Sequence, residues 1–228
     1  MKKRATSVPR TWPDPGSTRI PYWIYTDQDI FDLEMERIFC GSSWAYVGLS
    51  AELLEPGSFI TTNIGDRPVI ICRNGDGELR GFVNRCAHRG IKFCRHRSGQ
   101  TKRFTCPYHQ WTYDLNGDLK GVPFMRGVNG QGGMPEDFDL GANGLQQLKV
   151  IAHNGVLFAS FDLNMTEFTT YLGESNRYYF ERVCDGRELR LLGHSRQLIR
   201  GNWKLMFENI KDPYHASLLH VFLVTFGL

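Results

Sequence analysis

Between residues 86 and 109 the sequence carries two short Cys–His pairs, Cys86-Ala87-His88 and Cys106-Pro107-Tyr108-His109. Four soft or borderline ligands delivered as two pairs suit a tetrahedral zinc ion, or an iron–sulfur cluster in which two imidazoles replace two thiolates on one iron. The spacing separates these readings. Zinc modules pair Cys with Cys and His with His, whereas each half here brings one of each. That suits a two-iron cluster, with Cys86 and Cys106 on one iron and His88 and His109 on the other. Cys94, between the pairs, reads as a small packed residue rather than a fifth ligand.

The surrounding sequence is dense in turn signals. Ser58–Asn63, Pro68–Arg73 and Glu78–Asn84 are β-like runs separated by Gly65-Asp66 and by Asn74-Gly75-Asp76-Gly77. Trp111–Leu115 and Asp118–Val122 flank Asn116-Gly117, which predicts a two-residue hairpin turn. Gln146–Ala152 and Val156–Phe161 flank His153-Asn154-Gly155. Together with Trp44–Gly48 these runs predict an antiparallel β domain over residues 41–162, with the two Cys–His loops at hairpin tips. Gly90, Gly99 and Pro107 are expected to let the backbone bend around the sulfurs. Tyr108 and Trp111 are expected to shield the site. Arg85, Arg89, Arg95, Arg97, Lys102 and Arg103 make its rim basic, either as a solvated edge or as a surface that steers an acidic electron donor.

Before this domain, residues 7–22 read as an extended arm, and Thr26 with Asp29 reads as the cap of a helix near 27–40. Residues 1–40 thus form an arm and a helix. After residue 162 the pattern changes. Glu167–Val183 is predicted helical with Phe168, Tyr171, Leu172, Tyr179 and Phe180 buried, Leu189–Arg200 is predicted as a strand, and a second helix opens at Gly201-Asn202. His96, His153 and His194 lack partner spacing and read as surface or turn residues.

That last helix leads into a second constellation. Glu208, Asp212 and His215 share a helical face, and His220 lies five residues further. Pro213 removes a helical hydrogen bond and favours a kink, which would let His215 and His220 meet one metal. Spacing alone nominates Asp212, His215 and His220 as a two-His, one-carboxylate iron site.

The mixed Cys–His pattern resembles the Rieske [2Fe–2S] motif. With it upstream, Asn209-Ile210-Lys211-Asp212-Pro213-Tyr214-His215 and His220 resemble the mononuclear-iron motif of Rieske non-haem iron aromatic-ring-hydroxylating oxygenases. The resemblance runs from Trp44 to His220. Cys86–Gly90, Gly121–Phe124 and Asn202–Met206 are most similar to large (alpha) subunits acting on salicylate or anthranilate. It implies an α+β chain: a Rieske domain, then the start of a helix-grip-like catalytic domain over residues 163–228.

It also implies that His215 and His220 are iron(II) ligands and that Asp212 is not. Asp212 becomes a bridge between His215 and the Rieske histidine of a neighbouring subunit, here His109, with Asn209 as a further site residue. Electrons would come singly from a ferredoxin or reductase drawing on NAD(P)H, and the substrates would be O2 and a small aromatic acid. A homotrimer, or an assembly with a small beta subunit, is implied. The family's third iron ligand is an Asp much further along, and no Asp or Glu follows Asp212 here. The sequence therefore resembles an amino-terminal fragment, expected to be inactive by itself. A Rieske-type electron carrier without oxygenase chemistry is the alternative, and the segment after 162 weighs against it.

Composition narrows the rest. With 27 basic against 24 acidic residues the net charge is +3, which argues against an obligate nucleic-acid binder. Cys40, Cys72, Cys94 and Cys184 show no disulfide framework, pointing to a reducing compartment. Met1–Arg4 is basic but no apolar run follows, and Val221–Leu228 is too short to span a bilayer. A soluble cytoplasmic protein is expected, without a membrane partner.

Overall fold

In the computed structural model, residues 10–13, 16, 19–220 and 225 are described, apart from the side chains of residues 213, 216 and 217. The tail Val221–Leu228 and the basic Met1–Arg4 lie outside the described residues, Thr225 excepted. The chain divides into two units, one over Glu34–Gly193 and one from the described parts of Met1–Leu33 and His194–Leu228.

The larger unit is built on ten strands. They are β1 (Ala45–Leu49), β2 (Ser58–Ile64), β3 (Arg67–Arg73), β4 (Leu79–Val83), β5 (Ser98–Gln100), β6 (Phe104–Thr105), β7 (Thr112–Tyr113), β8 (Leu119–Gly121), β9 (Gln147–His153) and β10 (Val156–Ser160). Seven form one sheet in the order β1-β10-β9-β4-β3-β2-β5, and β6-β7-β8 form a second. All pairings are antiparallel.

β3 explains why the sheet has two cores. Its run Pro68-Val69-Ile70-Ile71-Cys72 is wholly buried, and alternation sends successive side chains to opposite faces. Ile70 and Cys72 join Phe59, Phe82, Phe93, Phe104, Tyr113 and Leu119 in a core against the small sheet. Val69 and Ile71 join Val47, Ile60, Ile64, Leu148 and Leu157 on the other face. At about 25 cal/mol per Å² of apolar surface buried, these two layers supply most of the driving force for folding.

Several sequence expectations need correction. The turn at Asn116-Gly117 is longer than two residues. Gly117 N–H donates to Asp114 C=O at 3.1 Å, and the Asp114 carboxylate accepts from the N–H groups of Asn116 and Asp118 at 2.9 and 3.0 Å. Only Gly117 of the pair has positive φ, whereas a two-residue hairpin turn requires it at the first position or at both. Asn154-Gly155 does meet that requirement, with φ of 48° and 82°.

The expected strand over Leu189–Arg200 does not form; among the described residues no strand edge pairs with it, and an isolated strand has no ladder to hold it. The expected helix near 27–40 is instead α1 (Trp23–Thr26), α2 (Gln28–Glu34) and a π-turn over Met35–Phe39. The Thr26 hydroxyl bonds back to Tyr22 C=O, and the Asp27 carboxylate accepts from Asp29 and Ile30 N–H at 2.9 and 3.3 Å. Asp27 is therefore the cap, held by Arg10.

α3 (Phe168–Val183) breaks at Gly173, where φ is 69° and ψ is 165°. The break rephases the helix, so Phe168, Leu172 and Phe180 pack inward while Tyr171 and Tyr179 are exposed. His153, at the end of β9, packs its ring against Phe168 and Phe180 and lies 3.4 Å from Glu181. It is half-buried rather than on the surface. Among the described residues no helix is long and apolar enough to cross a membrane.

Candidate metal centres

The two Cys–His segments fold as loops of the same construction. Cys86 N–H donates to Ile91 C=O at 2.9 Å, and Gly90 N–H to Cys86 C=O at 2.7 Å. In the second loop Cys106 N–H donates to Trp111 C=O at 2.8 Å, and Gln110 N–H to Cys106 C=O at 2.9 Å. The closing residue is left-handed in both, with φ of 68° at Gly90 and 57° at Gln110. Only the second loop caps a hairpin, between β6 and β7. The first spans β4 and β5, which pair with other strands, so its expected hairpin is corrected. Gly99 is not at the sulfurs. It lies in β5, where an added Cβ would come within 3.0 Å of the Phe59 ring.

The loops bring the four predicted ligands together as two pairs. Cys86 and Cys106 are buried, 3% and 2% exposed, and both thiols are free. The His88 and His109 rings sit outside them with centroids 4.6 Å apart. Among the described residues no three His, Cys, Asp or Glu side chains gather around a single ion position. An inner thiol pair with an outer imidazole pair suits a two-iron cluster with thiolates on one iron and imidazoles on the other. Trp111 is buried and stacks on His88 at 4.9 Å with planes 10° apart. Tyr108 lies against His109 at 3.8 Å but is itself 56% exposed, so it is an outer lid at most. Cys94 is buried and its thiol faces His96 C=O, as a packed residue would.

Burial pushes the Cys86 thiol up, opposed by hydrogen bonds from Tyr113 and the His88 backbone. Burial, then the neighbouring His109, pushes the His88 imidazole down, which favours the neutral form that ligates metal.

Two residues missed in the sequence complete the loops. Tyr113 is fully buried on β7, its Oη 3.2 Å from Cys86 Sγ, and it accepts the Ala87 N–H at 3.0 Å. Asn84, also fully buried, clamps the first loop: its carboxamide accepts Cys94 N–H at 3.0 Å and donates to Cys94 C=O at 2.8 Å. Alternation within Trp111–Leu115, just before the Asn116-Gly117 turn, could have found Tyr113; nothing local distinguishes Asn84.

The second constellation lies in the smaller unit. Helix α4 (Trp203–Lys211) is capped by the Asn202 carboxamide, which accepts Lys204 N–H at 3.1 Å. It ends at Asp212, whose extended backbone (φ −87°, ψ 99°) precedes α5 (Pro213–Leu219). Asp212 Oδ1 accepts Tyr214 N–H at 2.8 Å, and Oδ2 lies 3.5 Å from His215 Nδ1. The His215 and His220 rings approach to 5.3 Å. The break at Pro213 leaves Asp212 beside His215, while His220 approaches His215 from just past the end of α5. Glu208 leaves this group, since its carboxylate accepts the Tyr25 hydroxyl hydrogen bond. Asn209 is exposed on α4.

The Rieske [2Fe-2S] domain family matches residues 43–132. The large oxygenase component of salicylate 5-hydroxylase from Ralstonia sp. is 54% identical over 95% of this chain and 52% of that protein. The anthranilate 1,2-dioxygenase large subunit from Burkholderia cepacia is 44% identical over 95% of this chain and 51% of that protein. Among solved structures, naphthalene 1,2-dioxygenase from Rhodococcus sp. bound to indole superposes with a TM-score of 0.77 at 33% identity, over 92% of this chain and 47% of that one. The chain spans about half the length of the curated relatives it matches.

Proposed function

The chain is homologous, along about half their length, to the large subunits of Rieske ring-hydroxylating oxygenases, and from that premise we propose that it is the terminal oxygenase component of such a system. Its substrate is an aromatic carboxylate of the salicylate or anthranilate kind, hydroxylated with O2 and with electrons from a ferredoxin or reductase that draws on NAD(P)H. Support for the substrate class comes from the relatives' own names. The observation that carries the reading is the occurrence, in one chain and in this order, of a buried two-thiol, two-imidazole loop pair and a His–His pair backed by a carboxylate. A simple electron carrier would have no use for the second.

In this reading Cys86, His88, Cys106 and His109 hold a [2Fe–2S] cluster, and His215 and His220 hold a mononuclear iron(II). When bound, the two groups supply one-electron transfer and O2 activation. The chain's residues supply the conditions. Burial keeps water from the two thiolates, Trp111 fixes the plane of His88, and Tyr113 donates its hydroxyl hydrogen to Cys86 Sγ once that sulfur is ionised. Asp212 Oδ2, 3.5 Å from His215 Nδ1, is placed to accept that nitrogen's proton when Nε2 turns to a metal. Asn209 remains a candidate contact on the same helix.

The test is metal analysis with spectroscopy. The oxygenase reading expects a chain extended to its relatives' length to hold two cluster irons plus one more and to hydroxylate an aromatic acid when given a donor and O2. Two irons and no product would leave the electron-carrier reading, and a colourless protein holding zinc would overturn both.

A further inference from the structure

Glu208 and Asp212 stand one helical turn apart and open onto the same groove, of about 600 Å³, which Lys204 and Lys211 also line. Their side chains are engaged differently. Asp212 faces His215, whereas the Glu208 carboxylate is taken by the hydroxyl of Tyr25, from the opposite end of the chain and within the same unit. Tyr25 also touches the beginning of α4. Its C=O accepts a hydrogen bond from Asn202 Nδ2 at 3.1 Å, while the Oδ1 of that same carboxamide caps the helix. Its ring lies under Lys204, with Nζ 5.9 Å from the centroid. One residue thus grips α4 at its cap, its first turn and its second.

The helix has need of this grip. It is nine residues long and none of them is buried. A helix that short is marginal by itself, and without a packed face its rotation about its own axis is set by polar contacts. Tyr25 can supply them because it is anchored in turn. It lies in α1, and the Asp27 carboxylate just beyond is held by the Arg10 guanidinium through two hydrogen bonds of 2.9 Å. Asp212 follows directly on the last residue of α4, so a rotation of the helix carries it along. At 3.5 Å its Oδ2 is already at the outer edge of contact with His215 Nδ1.

We propose that Tyr25 is a positioning residue for the candidate iron site: by holding Glu208, its hydroxyl fixes the rotation of α4 and so keeps the Asp212 carboxylate at His215. The inference rests on the reading of His215 and His220 as metal ligands given above. Tyr25 acts through two intermediaries, Glu208 and then Asp212, and the amino-terminal arm becomes part of what shapes the site.

The test uses the 228-residue chain with its cluster reconstituted and Co(II) as probe, with the Kd read by titration calorimetry. Tyr25→Phe keeps the ring under Lys204 and the C=O bonded by Asn202, and removes only the hydroxyl. Asp212→Asn is expected to weaken Co(II) binding about tenfold and Tyr25→Phe about fivefold. In the Asp212→Asn background Tyr25→Phe should cost less than about twofold, because the group it acts through is gone. Glu208→Gln keeps an acceptor for the phenol and should stay within about twofold of the parent, whereas Glu208→Ala should match Tyr25→Phe. A Tyr25→Phe chain that binds Co(II) as the parent does overturns the proposal. So does an equal loss in both backgrounds, since Tyr25 would then serve only the stability of the helix. If His215→Ala binds Co(II) as tightly as the parent, the metal-site reading fails and this inference with it. Binding lost in His215→Ala but unaltered in Tyr25→Phe condemns the positioning role alone.

Discussion

Gly90 and Gln110 hold the same position in two unrelated stretches of chain: each is left-handed, and each donates its N–H to the carbonyl of the cysteine four residues before it. One loop uses the residue that adopts this conformation freely; the other does not. At Gly90 a Cβ would meet nothing within 4 Å, so Gly90→Ala is expected to cost only backbone strain, about 1 kcal/mol, with the site intact. Gln110→Gly is expected to be neutral or mildly stabilising. Urea unfolding of both variants checks the pair.

Tyr113→Phe removes the one hydroxyl beside Cys86 Sγ. Hydrogen bonds to cluster sulfurs favour the more negative, reduced form. At a net value of about 1 kcal/mol, the one-electron potential should fall by roughly 40 mV. Protein-film voltammetry reads this directly, and an unmoved potential would remove Tyr113 from the site.

Asn84→Ala leaves the Cys94 N–H and C=O without partners inside the protein. The expected loss is about 2 kcal/mol, concentrated in the first loop. Hydrogen exchange should therefore show faster exchange at Cys94 while Val69 and Ile71 stay protected.

On the proposed reading, in which the carboxylate orients His215 without ligating, Asp212→Ala in a chain extended to its relatives' length is expected to leave iron at both sites while uncoupling turnover. Loss of the mononuclear iron with electron transfer preserved would instead make Asp212 a ligand.

Tyr25 gives a pH signature. Its hydrogen bond to Glu208, with burial and that residue's charge, pushes the phenol up to about 12. The folded value lies above the unfolded one, so the stabilisation is complete below about pH 10 and is lost as pH rises through about 12. The group is only partly buried, so its contribution is small. Difference absorbance titration of Tyr25→Phe against the parent should lack one late-ionising phenol.

The four inner-site residues were legible because their chemistry demands particular residue types at short range, and the long hairpins β2–β3 and β9–β10 because β-branched and apolar runs coincide there with turn residues. What stayed hidden depends on distant partners. β5 is three exposed residues whose strand character comes from pairing with Ser58–Ile60. Leu189–Arg200 has strand-like composition but no edge to join. Asn84 acts only because the chain returns at Cys94. At Asp27 a cap competed with the neighbouring Thr26, and the salt bridge from Arg10, seventeen residues earlier, marks the winner.

In the large sheet, Ala45 is partnered by Ala159 and Leu49 by Val156. During synthesis, β1 leaves the ribosome without a neighbour and must wait until nearly the whole unit has followed. Residues 86–109 emerge well before β9 and β10 bridge β4 to β1. A newly made chain therefore passes through an interval in which both metal-binding loops exist while the strand that locks the sheet does not. Closure by the last hairpin is a slow, long-range step that completes the core of Val47, Ile60, Leu148 and Leu157 on the face away from the thiols.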